Sequence, residues 1–413
     1  MTRSIMMKTK PYFTATAVLL TLAFATAVLG SCTKKEGEAK PGEAEKVELT
    51  VWESTNGPDE FIRQAGKAYT ETHPNVTIKF VNVELGDSVN QIALDGPAGV
   101  GPDLFAAPHD RLGELVTNGH ILPTANPGSI NDKLLGACRT AATYNGVQYG
   151  YPVSAETYAL FYNKALISES EVPKTWDDMF TYIKNFKVPG KYPFVMDVGN
   201  AYYSILFTTT GGNRLFGPSG TDTKNTNLNS EAAVTGMRFF QSMRQIINIP
   251  AADINTSVAD GAFQAGNAAM HISGPWNVMN FINAGLDIGV APLPSLPGES
   301  VPAASFSGTR MMFVSAYSDH SDEANDFGAF LVSPGMQQLR AGITNTLPAI
   351  DTPTDNPYAA GFVEQLKYAF PMPSIPPMSK FWDAMNAASA NIWNGADVKA
   401  ELDACNAVIL STN

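Results

Sequence analysis

The fold is decided by residues 47–80, which read VELTVWESTNGPDEFIRQAGKAYTETHPNVTIKF. Residues 47–51 alternate apolar and polar side chains, which is the two-residue period of a strand. From residue 59 the apolar side chains recur at the spacing of one helix face, and residues 76–80 return to the period of a strand. The segment therefore predicts a strand, a helix and a second strand in succession.

A third strand is predicted at residues 102–106 (PDLFA), after another stretch of helical length. Alternation of strands and helices is typical of α/β proteins, in which a parallel sheet carries helices on its faces. Such sheets bind ligands outside the carboxyl ends of their strands. We therefore expect the loops after Val51, Val83 and Ala107 to line a ligand site.

The middle of the chain also shows signals of helices and of a loop. Residues 175–178 (TWDD) resemble a capping box, which opens a helix whose apolar face runs to Phe186. Residues 230–246 predict a long amphipathic helix, and glycines and a proline over residues 211–220 predict the loop before it. The sequence shows no internal repeat of fixed period.

The N-terminus has the features of an export signal. Three cations lie within the first ten residues, an apolar run follows over residues 12–29, and small residues precede Cys32. This order is that of a secretory signal, and Leu-Gly-Ser-Cys at residues 29–32 resembles the lipobox of bacterial lipoproteins. We expect residues 1–31 to be a signal peptide and the Cys32 thiol to be diacylated. An uncut membrane anchor is the alternative, since the apolar run is about long enough to span a bilayer.

Apart from Pro41, residues 33–46 (TKKEGEAKPGEAEK) contain no apolar side chain larger than Ala. Such a segment buries too little surface to fold, so residues 32–46 are predicted to be the lipidated cysteine and a flexible tether. The chain of 413 residues carries a formal net charge of −12, and residues 1–31 hold three cations and no acid. The mature chain is therefore more acidic still, which disfavours nucleic acids and anionic membrane surfaces as partners.

Little in the sequence indicates catalysis or a metal. GxSxG, GxxxxGK[ST] and HExxH motifs are absent, and no two of the five histidines are spaced as zinc ligands. Asp110 and Glu156, two carboxylates at predicted loop ends, are compatible with the acid and base of a glycosidase, or with hydrogen bonding to sugar hydroxyls. Cys138 and Cys405 either pair in an oxidising compartment or lie buried as apolar residues, and the sequence leaves both options open.

Four segments resemble one known family and occur in its order. The chain is similar to the maltose-binding-protein branch of the extracellular solute-binding proteins of ABC importers. The matching segments are residues 101–113 (GPDLFAAPHDRLG), residues 151–164 with YPVSAE and LFYNK, residues 263–276 with FQAG and SGPW, and residues 371–382 (PMPSIPPMSKFW).

The resemblance implies an α/β, two-lobed periplasmic-binding-protein fold with three hinge crossings, which closes on a ligand in the cleft. One lobe is expected to comprise residues 47–153 and 306–353. The other is expected to comprise residues 154–304 and 354–413. The resemblance further implies a monomer without cofactor or metal, anchored by lipid outside the cytoplasm, that delivers its ligand to the permease subunits of an ABC importer and is not an enzyme.

The resemblance also implies where ligand binds. Asp110, Arg111 and Glu156 match positions at which the family hydrogen-bonds sugar hydroxyls. Trp276 and Trp382 match rings that stack on sugar, and Tyr202 matches a further aromatic, with Tyr203 as its alternative. We therefore expect a neutral sugar, a disaccharide or short oligosaccharide of maltose type. A glycoside hydrolase, or a sugar sensor acting through a chemoreceptor, is the alternative.

This sequence departs from the family at several sugar-contacting positions. Asn56 and Gly57 stand where the family has Asp-Lys, Ala107 replaces a tryptophan, and Asn386 replaces an arginine four positions after the last tryptophan. These replacements remove one ring and two cations from the expected cleft. The resemblance therefore predicts a sugar but leaves its identity among maltose, trehalose, sucrose and other glycosides open.

Overall fold

The computed structural model describes residues 45–353 and 356–411. The predicted signal peptide, Cys32 and nearly all of the predicted tether lie outside these ranges. The strands are β1 Val47–Glu53, β2 Val76–Asn82, β3 Leu104–Pro108, β4 Thr143–Tyr144, β5 Val147–Gln148, β6 Tyr151–Thr157, β7 Ala159–Asn163, β8 Met270–Ser273, β9 Ile288–Ala291, β10 Phe306–Val314 and β11 Phe370–Pro371.

The α-helices lie between and after these strands. They are α1 Pro58–Thr72, α2 Ser88–Asp95, α3 Leu112–Thr117, α4 Gly128–Asn131, α5 Gly136–Ala141, α6 Trp176–Asn185, α7 Ala201–Ser204, α8 Glu231–Ser242, α9 Thr256–Gln264, α10 Val278–Asn283, α11 Ser321–Leu331, α12 Pro334–Thr344, α13 Ala359–Leu366, α14 Met378–Trp393 and α15 Val398–Leu410. Within the described ranges, no helix is both long enough and apolar enough to cross a membrane.

The opening β-α-β unit forms as predicted. α1 begins with a proline at Pro58, whose missing N–H costs nothing there, and Asp59 and Glu60 place negative charge in its first turn. The helix packs its apolar face on the sheet. A Cβ added at Gly66 would lie 2.8 Å from the Cβ of Ile78 on β2, so α1 can lie this close to β2 because residue 66 is a glycine.

The first sheet has the order β11-β10-β3-β1-β2, and β6 also pairs with β10. β1 pairs in parallel with both β2 and β3, which confirms the predicted parallel core. β10 runs antiparallel to β3 and to β6, a feature that the local periodicity does not predict. The sheet is therefore mixed, and β10, which pairs with β3, β6 and β11, comes from late in the chain.

A second sheet has the order β8-β7-β9, with β7 antiparallel to both neighbours. Only Tyr158 separates β6 in the first sheet from β7 in the second. The chain passes between the two sheets again from β9 to β10, and a third time between α12, which packs on β6, and α13, which packs on β9. These three passages match the number of crossings expected from the resemblance.

Two predicted helices are confirmed, and each α-helix ends earlier in the chain than predicted. The Thr175 hydroxyl accepts a hydrogen bond of 3.0 Å from the Asp178 N–H and caps α6, which stops one residue before Phe186 because that residue is extended. The helix predicted over residues 230–246 is α8, and its last turn, Met243–Gln245, is a 3-10 helix.

Cys138 and Cys405 are both free thiols, and both are buried. Burial raises the pKa of each thiol to about 12, so both remain protonated at neutral pH. Of the two options that the sequence leaves open, the structure has the buried, unpaired one.

Candidate functional site

A cavity of about 530 Å³ lies where the two sheets meet. The loops after β1, β2 and β3 contribute to its wall, as expected for the carboxyl ends of parallel strands. All six residues predicted to bind ligand border this cavity: Asp110, Arg111, Glu156, Tyr202, Trp276 and Trp382.

Asp110 lies in a 3-10 helix, His109–Arg111, that directly follows β3. Its carboxylate accepts a hydrogen bond of 3.1 Å from the indole N–H of Trp382, which is carried by α14. Burial raises the pKa of Asp110 to about 6, against the opposing effects of Arg111 and of the Trp382 hydrogen bond. Among the residues that the structure describes, Asp110 is therefore a buried carboxyl group whose one side-chain donor is the indole of Trp382, which also lines the cavity.

Arg111 is half-buried, and its Nη2 lies 2.7 Å from a carboxylate oxygen of Glu114. Its Nε is buried and has no acceptor among the residues that the structure describes. A buried donor without a partner costs about 1–3 kcal/mol relative to a paired one. Arg111 thus retains a hydrogen-bonding capacity at the edge of the cavity that the protein itself does not satisfy.

Glu156 lies on β6, two residues before the chain leaves the first sheet at Tyr158. It is opposite Gly308 in the pairing of β6 with β10, and both residues border the cavity. One carboxylate oxygen accepts a hydrogen bond of 3.1 Å from the Ser154 hydroxyl. The rest of this half-exposed group faces the cavity and is available as an acceptor.

Two aromatic residues line one wall together. The ring centroids of Tyr202 and Trp276 are 6.1 Å apart and tilted by 53°. A Cβ added at Gly274 would lie 2.1 Å from the Trp276 ring, so the Gly-Pro-Trp sequence allows the ring to fold back over its own backbone. Of the two adjacent tyrosines, Tyr202 borders the cavity and Tyr203 is buried.

The short helix α7 holds Tyr202 in place. Asn200 caps it by accepting a hydrogen bond of 2.9 Å from the Tyr202 N–H. The side-chain oxygen of Asn386 on α14 accepts from the Ala201 N–H at 2.7 Å. Asn386, one turn after Trp382, therefore ties Tyr202 to the helix that carries the other ring, and it does not border the cavity.

A cluster of three buried charges lies beside the cavity, and no signal in the sequence indicated it. The Glu53 carboxylate at the end of β1 accepts from Arg310 of β10, with a distance of 3.1 Å to Nε and a second contact to Nη2. Arg340 of α12 lies 3.6 Å from the same carboxylate, and its Nε and Nη1 have no hydrogen-bond acceptor among the described residues.

The charges of this cluster shift one another's pKa. Burial alone would raise the pKa of Glu53, but Arg310 and Arg340 outweigh burial and lower it. Burial lowers the pKa of Arg340 to about 10, against the attraction of Glu53, so this guanidinium is still charged at pH 7. Arg310 and Arg340 both border the cavity, so two charged side chains of this cluster form part of its lining.

The positions that depart from the family differ in their surroundings. Asn56 borders the cavity in the left-handed region, at φ 63°, which asparagine tolerates. Ala107 is fully buried within β3 and does not border the cavity. In residues 45–353 and 356–411, no group of three His, Cys, Asp or Glu side chains is placed to hold a metal ion.

Comparison with known proteins gives one consistent result. The family model of the bacterial extracellular solute-binding proteins matches residues 52–338. The galactooligosaccharide-binding protein of Bacillus subtilis is 30% identical over 404 residues, which cover 94% of this chain and 94% of that protein. A maltooligosaccharide ABC transporter solute-binding lipoprotein of Streptococcus pneumoniae is 30% identical over 393 residues, 90% of each chain.

A solved structure agrees in fold. The crystal structure of a cyclo/maltodextrin-binding protein complexed with maltotetraose superposes with a TM-score of 0.78 at 31% identity, covering 89% of this chain and 97% of that one. The two-lobed α/β fold is therefore confirmed, and so is the interpretation as a binding protein rather than an enzyme. The chain belongs to the family of bacterial extracellular solute-binding proteins.

Proposed function

We propose that this protein is an extracytoplasmic receptor that binds a neutral oligosaccharide and delivers it to an ABC importer. The observation that supports this most is the convergence of six residues on one cavity: Asp110, Arg111, Glu156, Tyr202, Trp276 and Trp382. The similarity to galacto- and maltooligosaccharide-binding proteins supports the same class of ligand.

The cavity chemistry suits a sugar. A sugar presents a rim of hydroxyl groups and flat patches of C–H, so it needs charged hydrogen-bonding partners at its edge and aromatic faces against its rings. A hydrogen bond to a charged group contributes about 1.5–3 kcal/mol net, and micromolar affinity corresponds to about −8 kcal/mol. A few such bonds from Asp110, Arg111 and Glu156, with stacking on the two tryptophans, are sufficient even after the entropic cost of binding.

Binding is proposed to close the cleft. Asp110 and Arg111 follow β3 in the first sheet, whereas Trp276 follows β8 in the second. A ligand that contacts both groups favours the conformation in which they are close, in proportion to its differential affinity. The importer's membrane subunits would then recognise the closed form, and nothing in this scheme requires more than a monomer.

We further propose that residues 1–31 are removed and that diacylated Cys32 anchors the receptor to a membrane. The similarity to a protein named as a solute-binding lipoprotein supports this. Mass spectrometry of protein from the membrane fraction should show a lipid-modified Cys32 as the first residue. Recovery of an unmodified N-terminus, or of intact residues 1–31, would contradict the anchor.

A thermal-shift panel on the protein lacking residues 1–32 tests the ligand class. Maltose, maltotriose, trehalose, sucrose and galactooligosaccharides should include at least one stabilising ligand, since any ligand that binds only the folded state raises the unfolding temperature. Polyols, polyamines and amino acids serve as controls. If only a non-carbohydrate stabilises the protein, sugar binding is wrong. Release of reducing ends on incubation with the bound sugar would instead indicate hydrolysis.

A further inference from the structure

Arg340 on α12 is a buried cation that borders the cavity shared by the six candidate site residues. Only 2% of its side chain is exposed, and its Nε and Nη1 have no hydrogen-bond acceptor among the described residues. Within the same ranges, its charged contact is the Glu53 carboxylate at 3.6 Å, which is longer than a hydrogen bond. Buried polar groups are normally paired, so Arg340 has donors for which a ligand in the cavity can supply the acceptor.

The neighbouring Arg310 is in the opposite situation. It donates to Glu53 through Nε and Nη2, and its Nη2 also donates to the Ser54 hydroxyl at 2.8 Å. These directional bonds fix its guanidinium. In the described part of the chain, Arg340 instead has the ion pair at 3.6 Å and the ring of Phe61, whose centroid lies 5.1 Å from its Cζ. Both contacts depend less on angle than a hydrogen bond does, so this guanidinium can turn toward the cavity.

The charges around Arg340 favour an uncharged ligand group. Burial and the neighbouring Arg310 lower the pKa of Arg340, whereas Glu53 and Glu156 raise it. Glu156 is therefore close enough to attract the guanidinium, and it borders the same cavity. The positive charges of Arg310 and Arg340 are balanced by the negative charges of Glu53 and Glu156. A ligand carboxylate or phosphate at this point would add a charge without a partner.

A hydroxyl group suits this pair of residues, because it accepts one hydrogen bond and donates another. One sugar hydroxyl can therefore accept from Arg340 and donate to Glu156. We propose that Arg340, acting with Glu156, is a specificity-determining residue that requires a free sugar hydroxyl at this end of the cavity. This proposal rests on the sugar binding proposed above. A site built for a hydroxyl discriminates against an analogue that lacks it, because its own polar groups are then left unpaired.

Titration calorimetry with deoxygenated sugars tests this role. The probes are maltose, trehalose, sucrose, β-1,4-galactobiose and the monodeoxy derivatives of each, applied to the protein lacking residues 1–32. One derivative of a sugar that binds should bind wild type about tenfold to a hundredfold more weakly than its parent, through the missing contact with Arg340. In Arg340→Met the parent should weaken by a similar factor, and this derivative should bind within about twofold of the parent. Derivatives that lack other hydroxyl groups should keep their wild-type losses.

Arg340→Lys is the second variant, because lysine keeps the positive charge beside Glu53 but lacks the planar fork of donors. If Arg340→Met does not fold, Arg340→Lys carries the test, and the loss for the same derivative should shrink by about threefold or more. Arg63→Met is the matched control. Arg63 on α1 also lies over a ring, 4.5 Å from the Phe80 centroid, but it does not border the cavity. Its affinities for all the probes should match those of wild type.

A uniform loss of affinity in Arg340→Met, with every derivative still weaker than its parent by the wild-type factor, would give Arg340 a structural role only and overturn the proposal. Unchanged affinities would overturn it as well. If none of the four parent sugars binds, selection among them by Arg340 is wrong. The thermal-shift panel then decides separately whether the proposed sugar binding fails too.

Discussion

The indole N–H of Trp382 donates a hydrogen bond of 3.1 Å to the carboxylate of Asp110, although 272 positions separate the two residues in the chain. The bond links α14 to the 3-10 helix after β3, and both residues border the cavity. It also places the ring of Trp382 at a fixed angle to a buried acceptor. Asp110 and Trp382 therefore form one unit of the site, and changing either affects both.

The first prediction concerns the pH dependence of Asp110. Because its pKa is raised to about 6, the folded chain holds this proton more tightly than the unfolded chain does. The resulting stabilisation is complete below about pH 4 and is lost as the pH rises through 6. Asp110→Asn removes it. The difference in unfolding free energy between wild type and variant should change by roughly 2–3 kcal/mol between pH 4 and 7, measured by urea denaturation. Parallel pH profiles would contradict the prediction.

The second prediction concerns the buried charge cluster. Glu53→Gln leaves Arg310 and Arg340 without their shared carboxylate, and breaking a buried ion pair in this way costs about 3–5 kcal/mol. Glu48→Gln is the matched control on the same strand, because Glu48 is exposed and lies 3.7 Å from the equally exposed Lys79. Urea denaturation should show a change below about 0.5 kcal/mol for the control. Equal effects of both substitutions would show that Glu53 does not balance the arginines.

The third prediction concerns the anchoring of Tyr202. Asn386→Ala removes the acceptor for the Ala201 N–H and should loosen α7, at a cost in stability of about 1–2 kcal/mol. Affinity for the best sugar of the panel should fall by about fivefold or more, since a misplaced ring no longer stacks. Asn391→Ala is the control on the same helix, because Asn391 is exposed and its side-chain amide donates to Glu401 at the surface. Unchanged affinity in Asn386→Ala would show that α7 is held by other contacts.

The fourth prediction concerns the Gly-Pro-Trp turn. Gly274→Ala places a methyl group where the Trp276 ring lies, so the ring must move. Isothermal titration should show a loss of affinity of about tenfold or more. Gly261→Ala provides the comparison: it lies in α9 with open space around it, and the better helix propensity of alanine should leave binding unchanged and stability equal or higher. Binding that is unaffected by Gly274→Ala would remove Trp276 from the proposed site.

The first β-α-β unit was predictable from sequence because its signals are local. Alternation in β1, the face of α1 and the proline at its start all lie within a few residues of one another. The six candidate site residues were predictable for another reason. Five of them lie inside a short segment that resembles the family. Tyr202 lies outside the four matching segments, and only the structure separated it from Tyr203.

Other parts of the site had no local signal. Glu53 and Arg310 are 257 positions apart and meet only because β10 inserts next to β3, an antiparallel pairing that periodicity does not reveal. Asn386 looked like the loss of a cation, whereas its function in the fold is to accept a backbone hydrogen bond. Whether an asparagine faces a ligand or a helix end depends on the packing of α7 against α14, which is a property of the assembled fold.

Tyr158 is the single residue between β6 and β7, and its ring meets that of Tyr202 edge-on at 5.0 Å. A connection of one residue restricts β6 and β7 to rotation about that residue, because neither strand can move away from the other. The Tyr202 ring, which is expected to contact the sugar, therefore packs directly against the residue that connects the two sheets. A ligand that displaces the Tyr202 ring would therefore also displace Tyr158. Ligand binding and the relative rotation of the two sheets would then depend on the same pair of tyrosines.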